Sequence, residues 1–107
     1  MPLNYDRLMA LRFPEREFTY TERDTMLYAL AVGMGRQMPE DLPFVFERDL
    51  QALPTLATVI AWEDTWQEQT GMDIEKVVHG EQRVTLHRSL AASGTVRSRF
   101  RTPASRV

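Results

Sequence analysis

The residues able to do chemistry are few, and the densest group is His79, Gly80, Glu81 and Gln82. A glycine there lets a ligand approach the backbone closely, and the flanking polar groups can orient it. The competing reading is a β-bulge that bends a strand, with Glu81 and Gln82 in structural hydrogen bonds. Glu47 follows Phe44-Val45-Phe46 and precedes Arg48 and Asp49, which on residue types alone describes an exposed acid at the end of a strand. The Tyr28 hydroxyl either faces a pocket or takes one buried partner. Arg97, Arg99 and Arg101 alternate, so a strand would set them on one face, where they either meet phosphates or stay solvated and discourage edge pairing. His79 and His87 lie eight residues apart, and the chain has no cysteine, so no metal site is expected.

These groups must be held by an α+β set of elements. Phe18-Thr19-Tyr20 is a strand candidate leading into Thr21-Glu22-Arg23-Asp24, which has the residues of a helix start: a capping hydroxyl, then carboxylates at the positive end of the helix dipole. Met26, Leu27 and Leu30 supply the core stripe of that helix, and Gly33 and Gly35 its stop. The Pro39 to Pro43 cluster predicts a loop, and Phe44-Val45-Phe46-Glu47 a brief strand. A second helix opens at Leu53-Pro54-Thr55, since proline is tolerated in a first turn. Leu56, Val59 and Ile60 share one face of it, with Ala57 and Ala61 small elsewhere, so this helix is expected to be buried nearly all round as far as Trp62. Gly71 ends a polar stretch. Beyond it, alternation over residues 78–87, a turn at Ser93-Gly94 and alternation over residues 95–101 predict a two-stranded hairpin. The last residues, from Pro103, read as a frayed or truncated end.

Composition narrows the function classes. The chain has 107 residues, 43% hydrophobic and 26% charged, enough for one soluble domain with a single core. No apolar run reaches the roughly 18 to 20 residues of a membrane helix, and the N-terminus lacks a basic start followed by an apolar stretch; a soluble, cytoplasmic, unexported protein without a membrane partner is expected. The net charge of −2 conceals a split, with fifteen acids against seven basic residues over 1–82 and six arginines without an acid over 83–107. Such a split marks either an anionic partner at the C-terminal end or two segments that complement each other when folded. A nucleic-acid partner is not expected, because the chain is acidic overall and sets no aromatic platform among its basic residues.

Four segments occur in a telling order: Tyr20-Thr21-Glu22-Arg23-Asp24 running into Tyr28-Ala29-Leu30-Ala31-Val32-Gly33, then Phe44-Val45-Phe46-Glu47, then Leu53-Pro54-Thr55, then Val78-His79-Gly80-Glu81-Gln82. Together they resemble the N-terminal domain of MaoC-like (R)-specific enoyl-CoA hydratases, including the hydratase portion of peroxisomal multifunctional enzymes. The resemblance implies a hot-dog fold, in which a curved antiparallel sheet wraps a central helix, here the helix from Pro54. Full-length members of that family carry two such domains. Residues 1–107 then correspond to an incomplete N-terminal one, with a second hot-dog domain or a homo-oligomer, such as a dimer, as partner.

Hydrating a trans-2-enoyl thioester, a step of fatty acid β-oxidation, needs a base to activate water near C3, a proton delivered at C2 and donors aimed at the thioester oxygen. The resembled family uses an aspartate and a histidine in a Gly-Asp-x-Asn-Pro-apolar-His motif, and the only asparagine of this chain is Asn4. No catalytic residue is therefore expected in it. What the resemblance implies instead is an acyl-CoA-binding half, with Tyr28, Glu47, Leu53, Pro54, His79, Gly80, Glu81 and Gln82 toward the substrate and Glu47 in a supporting role near the thioester. Coenzyme A enters as the substrate thioester, and no separate cofactor is implied. The alternative is a non-catalytic acyl-CoA-binding or assembly module that pairs with a separate catalytic hot-dog subunit.

Overall fold

The computed structural model describes residues 4–62 and 66–100; Arg101 and the C-terminal residues read as frayed lie outside them. The elements are α1 (Tyr5–Ala10), β1 (Arg16–Tyr20), α2 (Glu22–Ala31), α3 (Leu42–Val45), a 3-10 turn (Pro54–Thr58), α4 (Trp66–Thr70), a second 3-10 turn (Ile74–Lys76) and β2 (Gly94–Ser98). The α+β class holds.

Local signals were obeyed where they are strongest. Thr21 caps α2, its hydroxyl accepting from the Asp24 N–H at 3.3 Å while the Asp24 carboxylate accepts from the Thr21 N–H at 2.8 Å. This reciprocal capping satisfies two backbone donors that a helix start leaves without partners. The helix then ends at Gly33 and Gly35, both with positive φ, a conformation that costs glycine little and other residues much. α1, which the sequence reading did not anticipate, is capped by Asn4, whose side chain accepts from the Arg7 N–H at 3.1 Å.

The buried face of α2 differs from the expected stripe. Thr25 and Ala29 are buried, while Leu27 is 51% and Leu30 52% exposed. The reason is what packs there. Thr25 Oγ1 donates to the Ala92 carbonyl at 2.7 Å, and Tyr20 Oη donates to the Ala91 carbonyl at 2.6 Å. At Thr25 the cover is backbone, and a small hydroxyl residue there admits it and bonds it. Both bonds are part-buried, and each contributes about 1 kcal/mol net.

Those two bonds deliver β2 to β1. The strands pair antiparallel, with Arg16 opposite Ser98 and Tyr20 opposite Gly94. Cross-strand matches reinforce the register: Thr19 and Thr95 share a 2.9 Å hydroxyl hydrogen bond, Phe18 faces Val96, and Glu17 pairs with Arg97 at 3.3 Å. The expected hairpin between residues 78–87 and 95–101 is thus corrected in its pairing. Residues 77–90 form no strand, and Val78 is 88% exposed. Their alternation places Gly80 and Gln82 on the same side as Val78, Val84 and Leu86, so docking that side recovers too little apolar area to fix a strand. Among the described residues the sheet has these two strands, and each has one edge that no other described strand pairs.

Two further expectations are corrected. Residues 44–47 do not form a strand, because Pro43 starts a helical turn and the Phe46 N–H closes onto the Leu42 carbonyl at 3.1 Å. The segment from Pro54 is a 3-10 turn and not a long buried helix; only Leu56 in it is buried, and Val59 and Trp62 are exposed. Its alanines and threonines give one narrow apolar ridge, too little to bury a helix on all sides. The core is correspondingly thin: Tyr20, Ala29 and Leu56 are its buried apolar residues among those described. The radius of gyration of 17.1 Å exceeds the roughly 13 Å of a compact chain of this length.

The Pro39 to Pro43 cluster is organised by one carboxylate. Asp41 accepts from the N–H groups of Gly35 at 2.9 Å and Gln37 at 3.0 Å, and these bonds hold its pKa below the ordinary 3.8. A depressed folded pKa adds stability that is complete above the unfolded value and fades as pH falls through the folded one. The stability difference between the wild type and Asp41→Asn should therefore be full at pH 6 and shrink below about pH 4, measured as paired urea titrations. A difference that stays constant to pH 2.5 would show that the carboxylate charge plays no part.

Candidate functional site

A cleft of about 680 Å³ forms where the 3-10 turn at Pro54–Thr58, the chain after Ile74 and the end of β2 converge. Ala57, Ala61, Trp62, Ile74, Val77 and Phe100 give it apolar walls, and Thr58, Gln67, His79, Gly80, Gln82, Ser98 and Arg99 supply its polar groups. This is the composition of a small-molecule site: apolar walls with placed polar groups.

The run His79 to Gln82 divides between lining and support. His79 Nε2 lies 2.9 Å from the Glu81 carbonyl oxygen, and Arg83 Nε donates to Glu81 Oε1 at 2.8 Å. Glu81 is thereby turned to its neighbours, while His79, Gly80 and Gln82 line the cleft. A Cβ on Gly80 would meet nothing within 4 Å, so no crowding by the protein requires glycine there, and its missing side chain keeps the wall open. The β-bulge reading falls away because the segment is not paired in a sheet.

The other sequence candidates lie apart from this cleft. Tyr28 borders a smaller one of about 330 Å³ with Tyr20, Leu56 and Ile60. Its hydroxyl donates to Thr55 Oγ1 at 2.8 Å, which ties α2 to the turn beginning at Leu53 and Pro54. Leu53 is half-buried and caps that turn, its carbonyl accepting from the Leu56 N–H, and Pro54 is exposed. Glu47 is exposed just beyond α3, makes no hydrogen bond or ion pair with the described residues, and does not line the large cleft. Among the described residues no three of His, Asp or Glu gather as a metal site would require, and no helix is long and apolar enough to cross a membrane.

Trp62 and Phe100 were missed as site residues. Neither had a sequence signal beyond being large and aromatic, and the cleft joins them from segments far apart in the chain. Arg99 carried a signal, the alternation with Arg97, but the structure assigns both arginines to the acidic N-terminal region. Arg99 Nε donates to Glu15 Oε2 at 2.6 Å, and Arg97 lies 3.3 Å from Glu17 and 3.9 Å from Glu15. The charge split along the sequence is in this part the complementarity of two segments brought side by side. Phe13 and Phe100 meet edge to face beside these pairs, with centroids 5.6 Å apart.

Comparison with known proteins adds a lineage to this geometry. The family described as the MFE-2 hydratase 2 N-terminal domain matches residues 18–104. The chain is 33% identical to a peroxisomal multifunctional enzyme type 2 of Mus musculus, across 80% of this chain and 13% of that protein. It is also 33% identical to the enoyl-CoA hydratase ChsH3 of Mycobacterium tuberculosis, across 92% of this chain and 37% of that protein. With a peroxisomal enoyl-CoA hydratase 2 of Arabidopsis thaliana it shares 31% identity across 87% of this chain and 34% of that protein. The chain thus spans well under half the length of these relatives.

Proposed function

Because this chain belongs to the MFE-2 hydratase 2 N-terminal domain family, a branch of the MaoC-like hydratases, we propose that it is the substrate-binding half of an (R)-specific 2-enoyl-CoA hydratase. The reaction is the reversible hydration of a trans-2-enoyl-CoA to the (3R)-3-hydroxyacyl-CoA. What carries the proposal is the large cleft, whose apolar walls suit an acyl chain and whose open side at Gly80 admits a thioester against backbone. His79 and Gln82 then orient the thioester, and Glu81 holds the run in place through His79 and Arg83. Tyr28, Leu53 and Pro54 support the site from behind, by fixing the turn that supplies Ala57 and Ala61. In this reading α2 and the antiparallel β1–β2 pair belong to a hot-dog domain, and the remaining sheet is completed by a second hot-dog domain or a second copy of the chain.

The acid and base come from that second domain. Water must be activated near C3 and a proton placed at C2, and the chain contains no Gly-Asp-x-Asn-Pro-apolar-His run. Purified alone, it should show no hydration of crotonyl-CoA or longer enoyl-CoA, followed by loss of enoyl absorbance. Adding a hot-dog domain that carries the motif, fused or in trans, should produce turnover. Turnover by this chain alone would overturn the division of labour. Acyl-CoA binding without turnover in any combination would favour a non-catalytic binding module instead.

A further inference from the structure

We propose that Arg99 is the anion-holding group of the large cleft and that Glu15 is its internal competitor, so that Glu15 limits how tightly the cleft takes an amphiphilic anion. The inference rests on the reading of this cleft as an acyl-CoA site and adds to it a residue that sets affinity.

Among the described residues lining the cleft there is no carboxylate, and Arg99 is the one permanent charge. An apolar molecule with an anionic head therefore has a single fixed charge to find, and a guanidinium suits a phosphate oxygen well. Arg99 is already engaged, however. Its Nε donates to Glu15 at 2.6 Å, and Glu15 does not line this cleft. It lines a neighbouring one of about 530 Å³, together with Phe13, and Arg99 and Phe100 border both. The guanidinium thus stands on the wall between two clefts, and the carboxylate holds it from the far side.

Exchange between the two partners is inexpensive for both. The Arg99 side chain is 84% exposed and that of Glu15 35%, so neither charge must cross a dry interior to part from the other. Glu15 also keeps a cation near it after Arg99 leaves, since Arg97 Nε lies 3.9 Å from its other carboxylate oxygen. Arg97 is itself paired with Glu17, which makes Glu17 the matched control: it removes the same charge from the same strand region without touching Arg99.

The test is calorimetric titration of this chain with decyl phosphate and, separately, with decanoyl-CoA. Glu15→Gln should tighten binding about two- to fivefold, the range an exposed charge-assisted pair spans. Glu15→Asp, which retracts the carboxylate by one methylene, should move affinity the same way by less and serves if the amide variant folds poorly. Glu17→Gln should leave affinity unchanged, and the Glu15→Gln gain should vanish in an Arg99→Gln background. Equal gains from Glu15→Gln and Glu17→Gln, no gain from either, or a gain that survives the loss of Arg99 would each overturn the competition. The two readings separate by probe. Decyl phosphate showing the Glu15 effect while decanoyl-CoA fails to bind would overturn the acyl-CoA assignment alone. Decanoyl-CoA binding with no Glu15 effect would overturn this inference alone, and failure of both probes would overturn both.

Discussion

In a hydratase reconstituted with its catalytic domain, Glu47→Gln should lower kcat about thirtyfold and shift the melting temperature by no more than about 2 °C. The two halves of that expectation have separate physical origins. Glu47 is exposed and unpaired among the described residues, and substitutions at such positions change stability by about 0.5 kcal/mol or less. The rate effect rests on the proposed function, in which the acid of the Phe44-Val45-Phe46-Glu47 segment lies beside the thioester once a second domain is docked. There a carboxylate can hold the attacking water or the catalytic histidine by a charge-assisted hydrogen bond. An amide keeps the shape and loses the charge, a difference of about 2 kcal/mol in the transition state. Unchanged kcat would return Glu47 to the status of a surface acid. A parallel fall in rate and melting temperature would make its role structural.

Leu56→Ala should cost this chain about 2–5 kcal/mol, enough to leave much of it unfolded at room temperature. Leu56 is 2% exposed and lies where β1, α2 and the 3-10 turn meet, bordering the same small cleft as Tyr20, Tyr28 and Ile60. Truncating it removes the largest fully buried side chain among the described residues and leaves a void that a hydrogen-bonded turn cannot collapse to fill. A chain of this size has roughly 5–15 kcal/mol in total, and a core of three buried apolar residues among those described places it toward the lower end. Leu27→Ala, at a half-exposed position in the expected helix stripe, should cost only about 0.5 kcal/mol. Urea titrations followed by circular dichroism would compare the two. Equal losses would mean that the core is not centred on Leu56.

That contrast between Leu56 and Leu27 marks how far the sequence could be read. Helical periodicity identifies apolar residues that share a face but not what will cover that face. For α2 at Thr25 the cover is the backbone at Ala92, whose carbonyl selects a threonine over a leucine. The same limit affected the strand from Gly94. Its alternation was legible, but its partner was not, because residues 78–87 also alternate and lie nearer in the chain. Of the cleft, the run His79 to Gln82 stood out in the sequence, while its other walls did not.

By itself the sequence determined whatever is decided within a few residues or by composition. The capped start of α2 at Thr21 and Asp24, its stop at Gly33, the order of the four family segments and the lack of a second asparagine for the catalytic motif all belong to this kind. Tertiary structure alone decided the pairing of β1 with β2, the seat of Tyr20 on Ala91, the engagement of Arg99 by Glu15 and the meeting of Trp62, His79 and Phe100 in one cleft. The bonds involved join residues 71 and 84 positions apart. Over such separations no local propensity favours one partner over another, and the choice falls to whichever arrangement buries the most apolar surface while leaving no buried polar group unpaired.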